Sequence, residues 1–63
     1  MRIMRLKEVI EKTGLAKSTV YNLISQGKFP KQIDLGARSV GWVDTEIEDW
    51  LLAKIELRDI EGS

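Results

Sequence analysis

The stretch Thr13–Pro30, TGLAKSTVYNLISQGKFP, decides the fold that this 63-residue sequence predicts. One helical apolar pattern ends at Gly14, and a second begins a few residues later. Glycine suits the end of the first helix because it adopts the left-handed cap conformation without steric cost. Two short helices joined by a tight turn that contains glycine are typical of a helix-turn-helix.

Apolar spacing sets the bounds of these two helices. The first should cover residues 6–13 and the second residues 17–26, where Gly27 ends it and Pro30 prevents a restart. Ala16 occupies the N-cap position of the second helix and has no side-chain oxygen to accept from the first free N–H groups. The residues that define the pattern lie at i, i+3 and i+4: Leu6, Val9 and Ile10, then Val20, Leu23 and Ile24.

The periodicity changes after Pro30. Residues 32–35 alternate polar and apolar, and residues 40–43 are rich in strand formers, so a β-hairpin is predicted over 32–43 with its tip at residues 36–39. A third helix should start near Asp44 or Thr45 and cover about residues 45–59, since Thr45 and Glu48 have capping-box spacing. The prediction is a mainly α fold with a small hairpin, a winged helix-turn-helix that forms a single domain over residues 1–63.

Composition excludes several classes of site. The chain has no cysteine and no histidine, so neither a disulfide nor the usual zinc ligands are available. No apolar run approaches the roughly 20 residues that span a membrane, and no signal pattern opens the chain. The carboxylates of the third helix lack a nucleophile–base pair or a glycine loop. We therefore expect a soluble intracellular protein that is not an enzyme and uses no metal, cofactor, small-molecule ligand or membrane.

The net charge of zero conceals a strong division along the chain. Residues 1–43 hold eight Lys or Arg against three Asp or Glu, whereas residues 44–63 hold two against seven. No acidic residue occurs between Lys12 and Gln32. A separate basic region is typical of a surface that binds phosphates, although an acidic solvated face on the last helix would give the same totals.

The outer face of the second helix carries side chains that suit DNA. If Val20 points inward, small polar and basic residues point outward, which is also common on ordinary surface helices. Lys28 and Lys31 follow the helix, and Arg38 lies at the hairpin tip, where it would reach the backbone or minor groove or simply face solvent. The candidate DNA-binding residues are Lys17, Ser18, Thr19, Tyr21, Asn22, Lys28, Lys31 and Arg38.

The large aromatic residues are predicted to form the core instead of stacking on bases. Phe29, Trp42 and Trp50 lie on the apolar sides of their elements. A chain of this size needs such side chains, because burying each one contributes about 1.5–3 kcal/mol.

Four sequence features together resemble the AlpA family of small prophage regulators, which is similar to phage excisionases and to the MerR-type winged helix. They are the TGL-x-x-ST-x-Y run, G-x-FP, LG-x-R-x-VGW and E-I-x-x-W-L, within a match over about residues 5–53. The resemblance implies a winged helix-turn-helix that binds double-stranded DNA in the bacterial cytoplasm, at the nucleoid. It implies base contacts from Lys17, Ser18, Thr19 and Asn22, with Arg38 in the wing. Ala16 and Asn22 depart from the family, which usually has serine and often has a basic residue there.

The sequence is compatible with three functions. The first is a sequence-specific transcriptional regulator of prophage type, and the second is an excisionase-like recombination directionality factor that works with an integrase. The third is a protein-interaction module that acts through the last helix, where Ala53, Leu57 and Ile60 form a small apolar stripe at i, i+4 and i+7. That stripe would also support self-association.

Overall fold

The computed structural model describes the backbone of residues 1–62 and the side chains of residues 1–60. The elements follow in the order β1 (Ile3–Met4), α1 (Leu6–Thr13), α2 (Lys17–Ser25), β2 (Ile33–Gly36), β3 (Ser39–Val43) and α3 (Asp44–Gly62). The predicted fold class, a mainly helical winged helix-turn-helix, is confirmed. Residue 63, which the domain prediction included, lies outside the described part.

The turn between α1 and α2 is held by its own backbone and by one hydroxyl. Gly14 adopts φ 74°, and its N–H donates to the carbonyl of Ile10 at 2.8 Å. The Thr13 hydroxyl donates to the Val9 carbonyl at 2.7 Å and accepts the Leu15 N–H at 3.3 Å. These bonds satisfy groups that a helix end leaves free, so the turn has a defined shape.

The second helix ends one residue earlier than predicted. Gln26 is its C-cap, and the Gln26 N–H still donates to the Asn22 carbonyl at 3.1 Å. Gly27 then adopts φ 71°, which lets the Lys28 N–H return to the Leu23 carbonyl at 2.8 Å. A left-handed glycine with this returning bond is a common way for a helix to end.

The predicted hairpin is present, and it belongs to a sheet with one strand more than the sequence indicated. The strand order is β1-β3-β2, with both pairs antiparallel. Ile3 pairs with Val43 and Met4 with Trp42. A strand of two residues is too short to show alternation, so β1 was not predicted.

The core lies between the helices and the inner face of the sheet. Trp42 is fully buried, and its indole N–H donates to the Pro30 carbonyl at 3.1 Å. Trp50 packs edge-on against Phe29 with ring centroids 4.8 Å apart, and its indole N–H donates to the Lys28 carbonyl at 2.8 Å. The prediction that the aromatic residues form the core is confirmed for Phe29 and Trp42, and Trp50 is half-buried and packs against them. The buried hydrophobic residues are Met4, Val9, Val20, Phe29, Trp42 and Ile47.

The third helix starts at one of its two predicted positions and ends beyond the predicted residue 59. The helix starts at Asp44 because β3 leads into it directly, so Thr45 lies inside the first turn and is not its cap. It continues past Asp59 to Gly62, since no proline or glycine interrupts it earlier. Only its first half packs on the core, where Ile47 is buried and Leu51 is half-buried.

Candidate nucleic-acid interface

Four of the predicted residues are exposed on α2. Val20 is completely buried, which fixes the rotation of the helix against the core. Ser18 and Asn22 then lie on the side opposite Val20, Thr19 lies on a flank, and Lys17 lies in the first turn. All four of these side chains are exposed.

Tyr21 occupies a different position from these four. It is half-buried, and its ring lies 6.5 Å from that of Trp42 with a tilt of 59°. The ring therefore packs at the edge of the core. A phosphate contact from its phenol group remains a prediction.

The N-terminus of α2 has no side-chain cap, as the sequence predicted. Ala16 has the extended backbone of an N-cap residue, with φ −75° and ψ 157°. Its methyl side chain cannot accept a hydrogen bond from the N–H groups of the first turn. Because the first N–H groups of a helix have no partner inside it, this end carries partial positive charge. Lys17 adds a full positive charge in the same turn.

The hairpin tip has an unusual backbone. Gly36, Ala37 and Arg38 are three consecutive residues with positive φ, at 85°, 49° and 62°. Two-residue hairpin turns with positive φ favour asparagine and glycine. A residue with a side chain in this left-handed conformation destabilises the fold by about 1–2 kcal/mol. The tip that displays Arg38 is therefore strained at two positions.

Asp34 shapes the strand end that leads into this tip, a role that our sequence analysis missed. Its Oδ1 accepts the Gly36 N–H at 2.8 Å, and the pairing of β2 with β3 shifts between these two residues. An aspartate two residues before a glycine is a known signal for such a turn. Arg38 and Lys31, at the two ends of β2, are both exposed.

Two of the basic residues in the first half of the chain are neutralised by nearby carboxylates. Arg2 pairs with Glu8 at 3.0 Å, and Lys12 pairs with Glu48 and, at 3.4 Å, with Asp44. The hydrogen bond to Glu48, with that to Asp44, raises the pKa of Lys12 above its ordinary value. These pairs tie α1 to β1 and α3, on the side of a cleft lined by Arg2, Met4, Glu8, Glu11, Lys12 and Asp44.

The cations near α2 and the hairpin have no such partners. Among the described side chains, no ion pair involves Lys17, Lys28, Lys31 or Arg38. The intramolecular acids thus compensate Arg2 and Lys12 and leave the cations of α2, the following segment and the tip available. The exposed polar residues of α2 and these unpaired cations are therefore the candidates for a nucleic-acid interface.

Neither a metal-binding cluster nor a membrane-spanning helix is found in the described part of the chain. Over residues 1–60, no three acidic, histidine or cysteine side chains are grouped so that they would hold a metal ion. Among the helices described, none combines the length and apolar character needed to cross a membrane.

Comparison with known proteins identifies the family. The family model described as "Prophage CP4-57 regulatory protein (AlpA)" matches residues 2–55. The DNA-binding transcriptional activator AlpA of Escherichia coli K12 is 41% identical over 63 aligned residues, which cover 90% of each chain. An uncharacterized protein, ORF88, of Enterobacteria phage P4 is 41% identical over 54 residues, 86% of this chain and 61% of that protein. The chain therefore belongs to the AlpA family of prophage regulatory proteins.

Proposed function

We propose that this protein is a sequence-specific DNA-binding transcriptional regulator of prophage genes. The observation that carries the proposal is the set of exposed polar residues on α2, combined with exposed cations in α2 and in the segment after it that have no ion-pair partner among the described side chains. The E. coli relative, named as a DNA-binding transcriptional activator, supports the same function. Such a regulator acts in the bacterial cytoplasm on nucleoid DNA and performs no catalysis.

In this proposal α2 enters the major groove. Asn22 lies one turn into the helix and is exposed, and its amide would bond bidentately to an adenine edge. Ser18 and Thr19 would bond to bases or phosphates near the helix N-terminus. Lys17 would neutralise a phosphate beside the uncapped first turn, where the helix dipole also favours an anion.

The hairpin would then act as the wing. Arg38 at its tip would bind the backbone or enter the adjacent minor groove. Lys28 and Lys31 lie in the segment between α2 and the hairpin. They would bind phosphates of the DNA backbone between the major groove and the adjacent minor groove. Together these residues would bind the DNA backbone and orient α2 so that its few base contacts can form.

The proposal is tested by selecting binding sites from a pool of random duplex DNA and measuring affinity for the selected site at several salt concentrations. If about three to five phosphates are neutralised, the logarithm of affinity should fall with the logarithm of salt concentration at a slope near −3 to −5. Failure to enrich any sequence, or an affinity that does not respond to salt, would refute the proposal.

Two substitutions separate base contacts from phosphate contacts. Asn22→Ala should relax preference at one base position by about 1–3 kcal/mol. Lys28→Ala should weaken binding to all sequences alike and make the salt slope less steep by about 1. A base-selective loss from Lys28→Ala would contradict this assignment of roles.

The excisionase-like role uses the same interface and differs in its target. Regulation predicts a site beside a promoter, whereas recombination predicts several copies on a bent attachment site, in the presence of an integrase. A footprint on the DNA upstream of the protein's own gene distinguishes the two. Bending confined to an attachment site would reassign the function to recombination.

A further inference from the structure

We propose that this chain self-associates head to tail, with the distal half of α3 from one copy docked on the outer face of the sheet of the next. The proposal starts from two apolar surfaces that the core leaves uncovered. One lies on α3 beyond Leu51, and the other lies on β2, on the side of the sheet away from Trp42. It does not depend on the proposed function.

The surface on α3 is an apolar stripe with an acidic border. Leu57 is 50% exposed, and Ala53 lies one turn before it on the same side of the helix. Asp49 and Glu56 lie along one edge of this stripe and are exposed. The stripe therefore offers apolar area beside negative charge.

The surface on the sheet is an apolar patch with basic ends. Ile33 and Leu35 are 37% and 43% exposed. Both lie on the face of Gly41, where the Leu35 and Ile3 side chains occupy the space that a Cβ would fill. Lys31 and Arg38, at either end of the strand, are exposed. This patch therefore offers apolar area beside positive charge.

The charges beside the two apolar surfaces determine which surface binds which. Residues 44–63 hold seven acids against two bases, so pairing two α3 helices would oppose like charges. Pairing two sheet patches would oppose two basic borders for the same reason. Only the α3 stripe on the sheet patch joins apolar to apolar and acid to base. Such a contact uses different surfaces on the two copies, so it can extend beyond a dimer.

The contact is small, so we expect weak association that depends on concentration. Sedimentation equilibrium without DNA, at loading concentrations from about 20 μM to about 1 mM, should show an average mass that rises with concentration and falls with added salt. DNA is omitted because Lys31 and Arg38 are also proposed contacts to phosphate. A strict monomer throughout this range, or association that ignores salt, would overturn the proposal.

Complementation between two variants tests the head-to-tail geometry. Leu57→Lys removes the α3 stripe and Ile33→Glu removes the sheet patch, so each variant alone should be monomeric. Their mixture retains one intact surface of each kind and should form a one-to-one dimer that cannot extend. If α3 paired with α3 instead, Ile33→Glu would associate like the wild type and the mixture would gain nothing.

Controls keep the result interpretable. Leu52→Lys makes the same chemical change roughly 140° around the helix from Leu57, and this variant should associate like the wild type. Circular dichroism establishes that each variant is folded. If Ile33→Glu does not fold, Ile33→Thr retains a strand-forming residue and removes most of the apolar contact. Equal loss of association in Leu52→Lys would overturn the assignment of the stripe.

Discussion

Replacing Arg38 by glycine should stabilise the fold and weaken DNA binding at the same time. Arg38 has φ 62° at the hairpin tip, and relieving that strain is worth about 1–2 kcal/mol. Glycine also destabilises the fold by about 0.5–1 kcal/mol, because it gives the unfolded chain more conformational freedom. The net gain should be about 0.5–1 kcal/mol, which raises the Tm of a domain of this size by about 3–6 °C.

The loss in binding follows from the missing guanidinium. One fewer phosphate contact should make the salt slope less steep by about 1, which near 0.1 M salt corresponds to about a 5- to 10-fold loss of affinity. Thermal unfolding and fluorescence anisotropy with the selected duplex measure the two effects on the same preparation. A fall in Tm would refute the argument from strain, and unchanged affinity would refute the role of Arg38.

Two matched variants separate the backbone effect from the charge effect. Ala37→Gly relieves strain at the neighbouring position, where φ is 49°, and leaves every cation in place. It should raise the Tm and leave affinity near that of the wild type. Arg38→Lys should keep both the strain and the charge, with the Tm and the salt slope nearly unchanged. An equal loss of affinity in Ala37→Gly would show that tip shape, not the guanidinium, controls binding.

Three further predictions concern the rest of the fold. Ala16→Ser should add the missing cap of α2 and stabilise by about 1 kcal/mol, visible as a higher Tm; no change would contradict an N-terminus open to capping. Gly41→Ala would place Cβ 2.5 Å from Cγ2 of Ile3 and should cost about 1–3 kcal/mol in denaturant unfolding, a loss that Ile3→Ala should partly restore. The raised pKa of Lys12 means that its pairing with Glu48 stabilises below the ordinary value of 10.5 and is lost as pH rises through the higher folded value. The wild type should therefore lose stability as the pH rises above the folded pKa of Lys12, and Lys12→Gln should lose less. Identical plots of stability against pH for the wild type and this variant would contradict the pairing.

The helix-turn-helix could be predicted from sequence because local signals agreed there. Val9 and Val20 each belong to one of the two apolar patterns, and both are fully buried. Gly14 and Gly27 end their helices with positive φ, as the cap rule predicts. Each of these features depends on residues within a few positions of one another, which a single sequence records well.

Features that depend on distant residues were not predictable. Met4 is buried because β1 pairs with β3, and its partner Trp42 is 38 positions away in the chain. Lys12 was counted in the basic first part of the chain, yet its charge is neutralised in the fold by Asp44 and Glu48, which lie 32 and 36 positions further along the chain. Positive φ at Ala37 and Arg38 was equally hidden, since neither residue type favours it.

Two of the regions proposed to contact DNA, the first turn of α2 and the hairpin tip, depart from local stability rules. The first turn of α2 lacks a cap at Ala16, and the hairpin tip holds Ala37 and Arg38 in a strained conformation. Among the described residues, the core is packed and holds no unsatisfied buried polar side-chain atom. These departures sum to about 3–5 kcal/mol, comparable to the whole stability that a core of this size supplies. Such local violations are expected where function competes with folding. DNA that binds both places should therefore stabilise the protein strongly, and the Tm should rise with the concentration of specific duplex.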